Sequence, residues 1–254
     1  MEERPTLSVI SPILIGREND LSVLCQTVME TKEGQRRVVL VSGEAGVGKS
    51  RLVTEATLFA KGQGFLYLQG NCFQTDSVLP YAPFLDVLRS YMTSFPPEHI
   101  AAEWLHLAPE LVRLLPEVAW LTPDFASVTP LVVRDSQQEK QHLFAAITNF
   151  FTVLTKHQPV LFVVEDLHWS DDISLEYLHH LVRQCVNLPL FFIITYRNDE
   201  VSASLRHFLS EFDRAHLARE ITLNRLSRGE VDAMLQTIFT LHSSIHTGLL
   251  DSIY

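Results

Sequence analysis

Gly43, Gly48, Lys49 and Ser50 occupy the fixed positions of the pattern G-x-x-x-x-G-K-[ST], in the stretch GEAGVGKS. Three of the chain's 10 glycines fall within it. The chemistry such a run serves is the holding of phosphate. A loop that wraps a phosphate and turns its N–H groups inward places some residues at positive φ, where glycine is the unstrained choice. A helix starting at the loop presents its positive end to the same anion. Lys49 supplies a mobile point charge for the β and γ oxygens, and Ser50 a hydroxyl for Mg2+. The binding set is Gly43, Glu44, Ala45, Gly46, Val47, Gly48, Lys49, Ser50 and Arg51, with ATP or ADP and Mg2+ as the implied ligands. A random chain of this length shows the pattern on the order of one time in a hundred. Its place between a buried strand and an amphipathic helix lowers that chance further.

A site of this kind needs an acid at the end of a second buried strand. VLFVVED supplies Glu165 and Asp166. One acid orients Mg2+ and the other orients or deprotonates the attacking water. Their positions suggest Glu165 for the metal and Asp166 for the water. Most sites of this type carry Asp on the metal, so an exchange of roles stays open, and Ser50, Glu165 and Asp166 together form the metal set. A third apolar run, LFFIITYR, ends on Arg197. A cation there could sense the γ-phosphate or stabilise charge during transfer; an arginine simply solvated at a strand end fits equally well. The catalytic candidates are therefore Lys49, Glu165, Asp166 and Arg197.

Positioning these groups requires strands and helices in alternation. Leu21, Leu24, Cys25 and Val28 follow i, i+3, i+4, i+7 and predict a helix over 20–28, ended near Gly34. Residues 38–41 form a β-branched run, the pattern of a strand buried on both faces. After the glycine loop, Leu52, Val53, Ala56 and Phe59 form a helical stripe, and residues 65–68 read as the next strand. Eight prolines chop residues 71–135 into short pieces, with helices expected at 84–91 and 105–115; we read this region as an insertion packed on the core. Residues 137–155, free of Gly and Pro, predict a long helix. Strands follow at 160–164 and 190–195, with a helix at 174–186 between them. A helix at 203–212 and a strand at 220–223 come next. Ser227 with Glu230 three residues on is a capping box for a helix over 228–239. The alternation, with strands apolar throughout, argues an α/β fold built on a parallel sheet covered on both faces.

Composition narrows the function. At 254 residues the chain can bury a full core. The net charge of −10 makes it a poor candidate for gripping nucleic acid by itself. The apolar runs 160–164 and 188–194 are far too short to span a bilayer, and the start, MEERPTLSVI, lacks the apolar stretch of a signal peptide. Cys25, Cys72 and Cys185 lie far apart, as reduced thiols in a cytoplasm would. Among 11 histidines there is no HExxH or His/Cys cluster, and His179 and His180 are adjacent and so point apart on a helix.

Five stretches, LIGREND, VLVSGEAGVGKSRLVTE, LPYAPFLDVLR, VLFVVEDLHWSDDISLEYL and IITYRNDE, run through the chain in order. Together they resemble the ATPase module of the STAND class, and more narrowly the large ATP-binding LuxR-type transcriptional regulators of bacteria and related modules fused to nucleotide cyclases and kinases. The HWSDDISL portion is especially specific for this group; spacing alone would have left His168 and Trp169 as packing residues. The resemblance implies a three-layer P-loop NTPase fold of AAA-like type, with strand order 5-1-4-3-2. It implies that residues 14–17, Gly16 and Arg17 among them, lie over the adenine, and that Arg197 is the sensor arginine. It implies an ATPase domain over 1–224 with an insertion at about 71–135, then at 225–254 the beginning of a helical domain that full-length relatives continue into helical repeats and often a C-terminal DNA-binding domain. The family's usual proline in the segment LNRL is replaced by Arg225.

The function so implied is a slow ATP-dependent switch coupling a signal, an inducer or a partner protein, to an output domain. DNA would be reached only through a domain absent here, and self-association stays open. An origin-loader ATPase would want a basic surface, which the charge speaks against. A non-hydrolysing scaffold would want the acids missing, and both are present.

Overall fold

The computed structural model describes residues 11, 13–73, 80–94, 109, 111–112, 115, 136–238 and 250. Their order is α1 (Glu18–Thr31), β1 (Arg37–Ser42), α2 (Lys49–Gly62), β2 (Leu66–Asn71), α3 (Ala82–Ser94), α4 (Ser136–His157), β3 (Val160–Glu165), a 3-10 turn (Leu167–Trp169), α5 (Asp172–Gln184), β4 (Leu190–Tyr196), α6 (Ala203–Arg214), β5 (Arg219–Thr222) and α7 (Arg228–Ile238). The five strands form one sheet in the order β2-β3-β4-β1-β5, every pair parallel. This is the expected 5-1-4-3-2 order read from the other edge.

Parallel strands need covered crossovers, and the sequence provides for them with unbroken apolar runs in the central strands. In β3 and β4, Leu161, Val163, Phe191 and Ile193 face one way and Phe162, Val164, Phe192 and Ile194 the other, all buried. The first set joins Val39 and Val41 in a core with Leu24 and Val28 of α1 and Leu52, Val53 and Ala56 of α2. The second joins Val38 and Leu40 in a larger core with α3, α4, α5 and α6, where Phe84, Phe151, Tyr177 and Phe212 pack. The result is three layers, helix–sheet–helix, around a central sheet. The edge strands β2 and β5 are only partly buried.

Local chemistry sets the helix ends. Asp171 caps α5, its carboxylate accepting from the Ile173 and Ser174 N–H groups at 2.9 Å each. Helix α5 therefore starts two residues before the apolar stripe that signals it. The capping box at α7 forms: the Ser227 N–H donates to Glu230 at 2.6 Å, and the Glu230 N–H donates back to Ser227 Oγ at 3.4 Å. Val231, Leu235 and Leu250 make a small cluster of their own beside Leu226. The helix expected at 84–91 is α3; most of the one expected at 105–115 lies outside the described residues, though Leu111, Val112 and Leu115 are buried in the larger core.

β2 runs further than its apolar run suggests. Gln69, Gly70 and Asn71 continue the ladder opposite Val163, Val164 and Glu165. Gly70 is there for space: a Cβ on it would lie 2.2 Å from the Pro83 carbonyl oxygen, backbone that opens α3. Gly70→Ala is expected to cost about 1–3 kcal/mol by overpacking. For a chain of this size that lowers Tm by about 2–4 °C per kcal/mol. Gly62→Ala, where an added Cβ meets nothing within 4 Å, is the control and should melt at or above the parent temperature.

Candidate functional site

The site lies along the edge where the parallel strands end. β1 stops at Ser42, and the next residues reach φ +151° at Gly43, +74° at Gly46 and +103° at Gly48. Gly48 is the N-cap of α2, so the loop delivers its N–H groups to a helix start. Gly43 is also needed for clearance, since a Cβ there would stand 2.7 Å from the Leu223 carbonyl oxygen. Lys49 is buried and folds over the loop, its Nζ donating to the carbonyls of Gly43 at 2.8 Å and Glu44 at 2.9 Å. Burial pulls its pKa below the ordinary lysine value, while the charge of Asp166 opposes the shift. These contacts hold the ammonium over the loop's concave side, where it can exchange carbonyls for phosphate oxygens.

The two acids take different places. Ser50 Oγ donates to Glu165 Oε2 at 2.9 Å. A hydroxyl and a carboxylate so close are hard oxygen donors that one Mg2+ can bridge, directly or through its waters, so the residues present fit that ion. Glu165 is also held from β2 by Gln69, whose Nε2 lies 3.4 Å from Oε1 and donates to Asn71 Oδ1 at 2.9 Å. Tyr67 hydrogen-bonds Gln69 in turn. Burial, with the Glu165 charge behind it, pushes the Tyr67 phenol up to about 12. Asp166, by contrast, sits at φ +57°, a left-handed conformation that Asp tolerates better than most residues. Its N–H donates to Thr195 Oγ1 at 3.0 Å. From this residue the chain enters the 3-10 turn.

Arg197 follows the last residue of β4. Its Nη1 pairs with Glu200 Oε1 at 2.5 Å, and the guanidinium lies 5.1 Å from the centroid of the Trp169 ring. His168 is buried between Asp166 and Glu200 and packs against Trp169, with ring centroids 4.6 Å apart and planes tilted by 43°. Desolvation lowers its pKa, against the opposing pull of the two acids. Lys49 feels the charges of Asp166, Arg197, Asp199 and Glu200, so all of these groups share one electrostatic neighbourhood.

Beside the loop opens a cavity of about 470 Å3. One wall is Ile13, Leu14, Ile15 and Arg17, another is residues 44–48 with Arg51, and a third is Arg225, Leu226 and Met234. Apolar walls next to a phosphate loop suit a planar base. Arg17 is mostly a brace: its Nη2 donates to the Val47 carbonyl at 3.3 Å and to the Asn224 carbonyl. Gly16 does not line the cavity; at φ +69° it lets α7 approach, and a Cβ would meet Glu230 Oε1 at 2.4 Å. Arg51 pairs with Glu55 at 2.6 Å. Arg225 grips Glu44 of the loop at 2.9 and 2.6 Å, a tie between loop and linker where the resemblance led one to expect proline.

Apart from Gly16, which sits against Glu230 of α7, the site residues expected from the sequence lie at this edge or around this cavity. Sequence reasoning missed Gln69, Asn71, Thr195 and Glu200. Of these only Glu200 left a signal, three residues beyond Arg197 in the stretch IITYRNDE. Among the described residues no cluster of three or more His, Cys, Asp or Glu side chains could hold a metal by itself, and no helix is long and apolar enough to cross a membrane.

Comparison with known proteins bears on the family and the fold. The family described as "AAA ATPase domain" matches residues 13–193. An uncharacterized protein of Rhizobium meliloti is 25% identical over 191 residues, covering 72% of this chain and 18% of that protein, so the chain spans less than a fifth of that relative's length. The crystal structure of Cdc6p from Pyrobaculum aerophilum superposes with a TM-score of 0.51 at 14% identity, over 91% of this chain and 52% of that one; at that identity the likeness is one of fold. A STAND protein with a tetratricopeptide repeat sensor from Pyrococcus horikoshii aligns with a TM-score of 0.44 at 13% identity, over 98% of this chain and 30% of that one.

Proposed function

This chain belongs to the AAA ATPase domain family, and we propose that it binds Mg·ATP on the loop of residues 43–50 and hydrolyses it slowly, as the nucleotide-dependent switch of a signal-responsive regulator. One observation carries the ATPase part. The phosphate loop's hydroxyl, Ser50, meets the acid that ends β3, Glu165, at 2.9 Å across the sheet edge.

The roles follow from position. The loop N–H groups and Lys49 hold the β- and γ-phosphates. Ser50 and Glu165 orient Mg2+, and Asp166, the next residue, orients the attacking water. Mg2+ when bound neutralises charge on the β and γ oxygens. Arg197 leaves Glu200 for the γ-phosphate and reports its presence. The cavity walled by Leu14, Ile15, Leu226 and Met234 takes the base.

The regulatory part rests on the HWSDDISL stretch, as in the large LuxR-type regulators, and on the net charge of −10, which leaves this chain with little grip on DNA. An inducer or partner protein would act through the helical part we place from residue 225 onward, and the setting is the cytoplasm. Single-turnover hydrolysis of Mg·ATP by the purified chain, with Lys49→Ala as blank, tests the reading. We expect a Lys49-dependent rate far below about one per second, with product retained. Fast multiple turnover would contradict a switch and point to a working motor.

A further inference from the structure

We infer that His168 is a positioning residue for the hydrolytic step, tying the acid that faces the attacking water to the arginine that faces the γ-phosphate. The inference rests on the Mg·ATP reading above. The His168 side chain is 0% exposed, and neither ring nitrogen has a hydrogen-bond partner. Nδ1 stands 3.9 Å from Asp166 Oδ1 and Nε2 3.7 Å from Glu200 Oε2. Each gap is about 1 Å longer than a hydrogen bond. Buried polar atoms without partners are destabilising, and those that persist in a site call for a reason.

The reason here is geometric. The ring lies between two carboxylates, with a different nitrogen nearest each. Glu200 carries Arg197 on its second oxygen at 2.5 Å. Arg197 in turn lies over Trp169, and Trp169 packs against His168. Asp166, His168, Glu200, Arg197 and Trp169 therefore form a connected set beside Lys49. A neutral imidazole carries one N–H. With Arg197 neutralising Glu200, the better acceptor for that N–H is Asp166. A ring movement of about 1 Å lets Nδ1–H donate to Asp166 Oδ1, which fixes that carboxylate where it faces the water.

The test is a double-mutant cycle read by single-turnover Mg·ATP hydrolysis and calorimetric affinity. His168→Phe keeps much of the ring volume and removes both nitrogens. At unchanged ATP affinity it should slow hydrolysis by about 10- to 100-fold. In an Asp166→Asn background the same change should alter the rate by less than about twofold. His168→Asn, whose amide nitrogen falls near Nδ1, should recover most of the rate. Equal losses in both backgrounds, or a parental rate for His168→Phe, would overturn the assignment. If His168→Phe does not fold, Glu200→Gln at an exposed position replaces it in the same cycle, and losses that are equal with and without Asp166→Asn overturn the assignment as well. A parent chain no faster than the Lys49→Ala blank would overturn the ATPase reading itself, and this role with it.

Discussion

Lys49→Ala is expected to abolish tight Mg·ATP binding. Lys49 Nζ makes two hydrogen bonds to loop carbonyls, Gly43 at 2.8 Å and Glu44 at 2.9 Å, from a buried position. With nucleotide bound the same ammonium would donate to phosphate oxygens, and each charge-assisted bond contributes about 1.5–3 kcal/mol. Two such bonds correspond to an affinity loss of roughly 100-fold or more. The fold should survive, because truncating Lys49 leaves room for water at the freed carbonyls and the side chain lies outside both main cores. Melting temperature should therefore move little while binding collapses, and that separation is what a calorimetric titration beside a thermal melt would read. Unchanged affinity would remove the phosphate loop from the mechanism. Lys49→Arg is no substitute, since a planar fork does not fit a site shaped for a compact point charge; it should bind weakly too.

The central sheet was legible because its strands had to be apolar on both faces. Leu161, Phe162, Val163 and Val164 cannot serve a half-exposed strand, and they pair where a doubly covered parallel sheet needs them. The loop was legible because its glycines answer to one backbone demand. The rest of the site was harder for reasons specific to each residue. Gln69 reaches Glu165 across 96 positions of sequence, a contact that no local spacing encodes. Glu200 is an ordinary surface acid until β4 delivers Arg197 beside it. His168 and Trp169 read as packing residues from periodicity, and as something more only through family resemblance. Arg17, expected over the adenine, does line the cavity, and the added role of its guanidinium in bracing Val47 and Asn224 left no trace in the sequence. The sequence left the two acids exchangeable. In the fold their partners are separate: the Glu165 carboxylate meets Ser50, while that of Asp166 neighbours His168.

That separation makes Asp166→Asn the sharpest test of mechanism. Asparagine has the same shape as aspartate and accepts the left-handed conformation at least as readily. The Asp166 N–H bond to Thr195 Oγ1 belongs to the backbone and is kept. Little should change, then, except the charge and the basicity of one carboxylate. If that carboxylate orients or deprotonates the attacking water, single-turnover hydrolysis should fall by about 10²–10⁴-fold. Mg·ATP affinity should stay near the parent value, because Ser50 and Glu165 remain. Glu165→Gln should behave in the opposite way. It removes the acid that meets Ser50 at 2.9 Å, so affinity should become weaker and the Mg2+ concentration needed for half-maximal binding should rise. Measured together, the pair assigns the roles. A parental rate for Asp166→Asn, with Glu165→Gln binding normally but failing to hydrolyse, would exchange them and place the metal on the kinked residue. In that case His168 would neighbour the metal's acid rather than the water's, and Arg197 could report the γ-phosphate only through the metal.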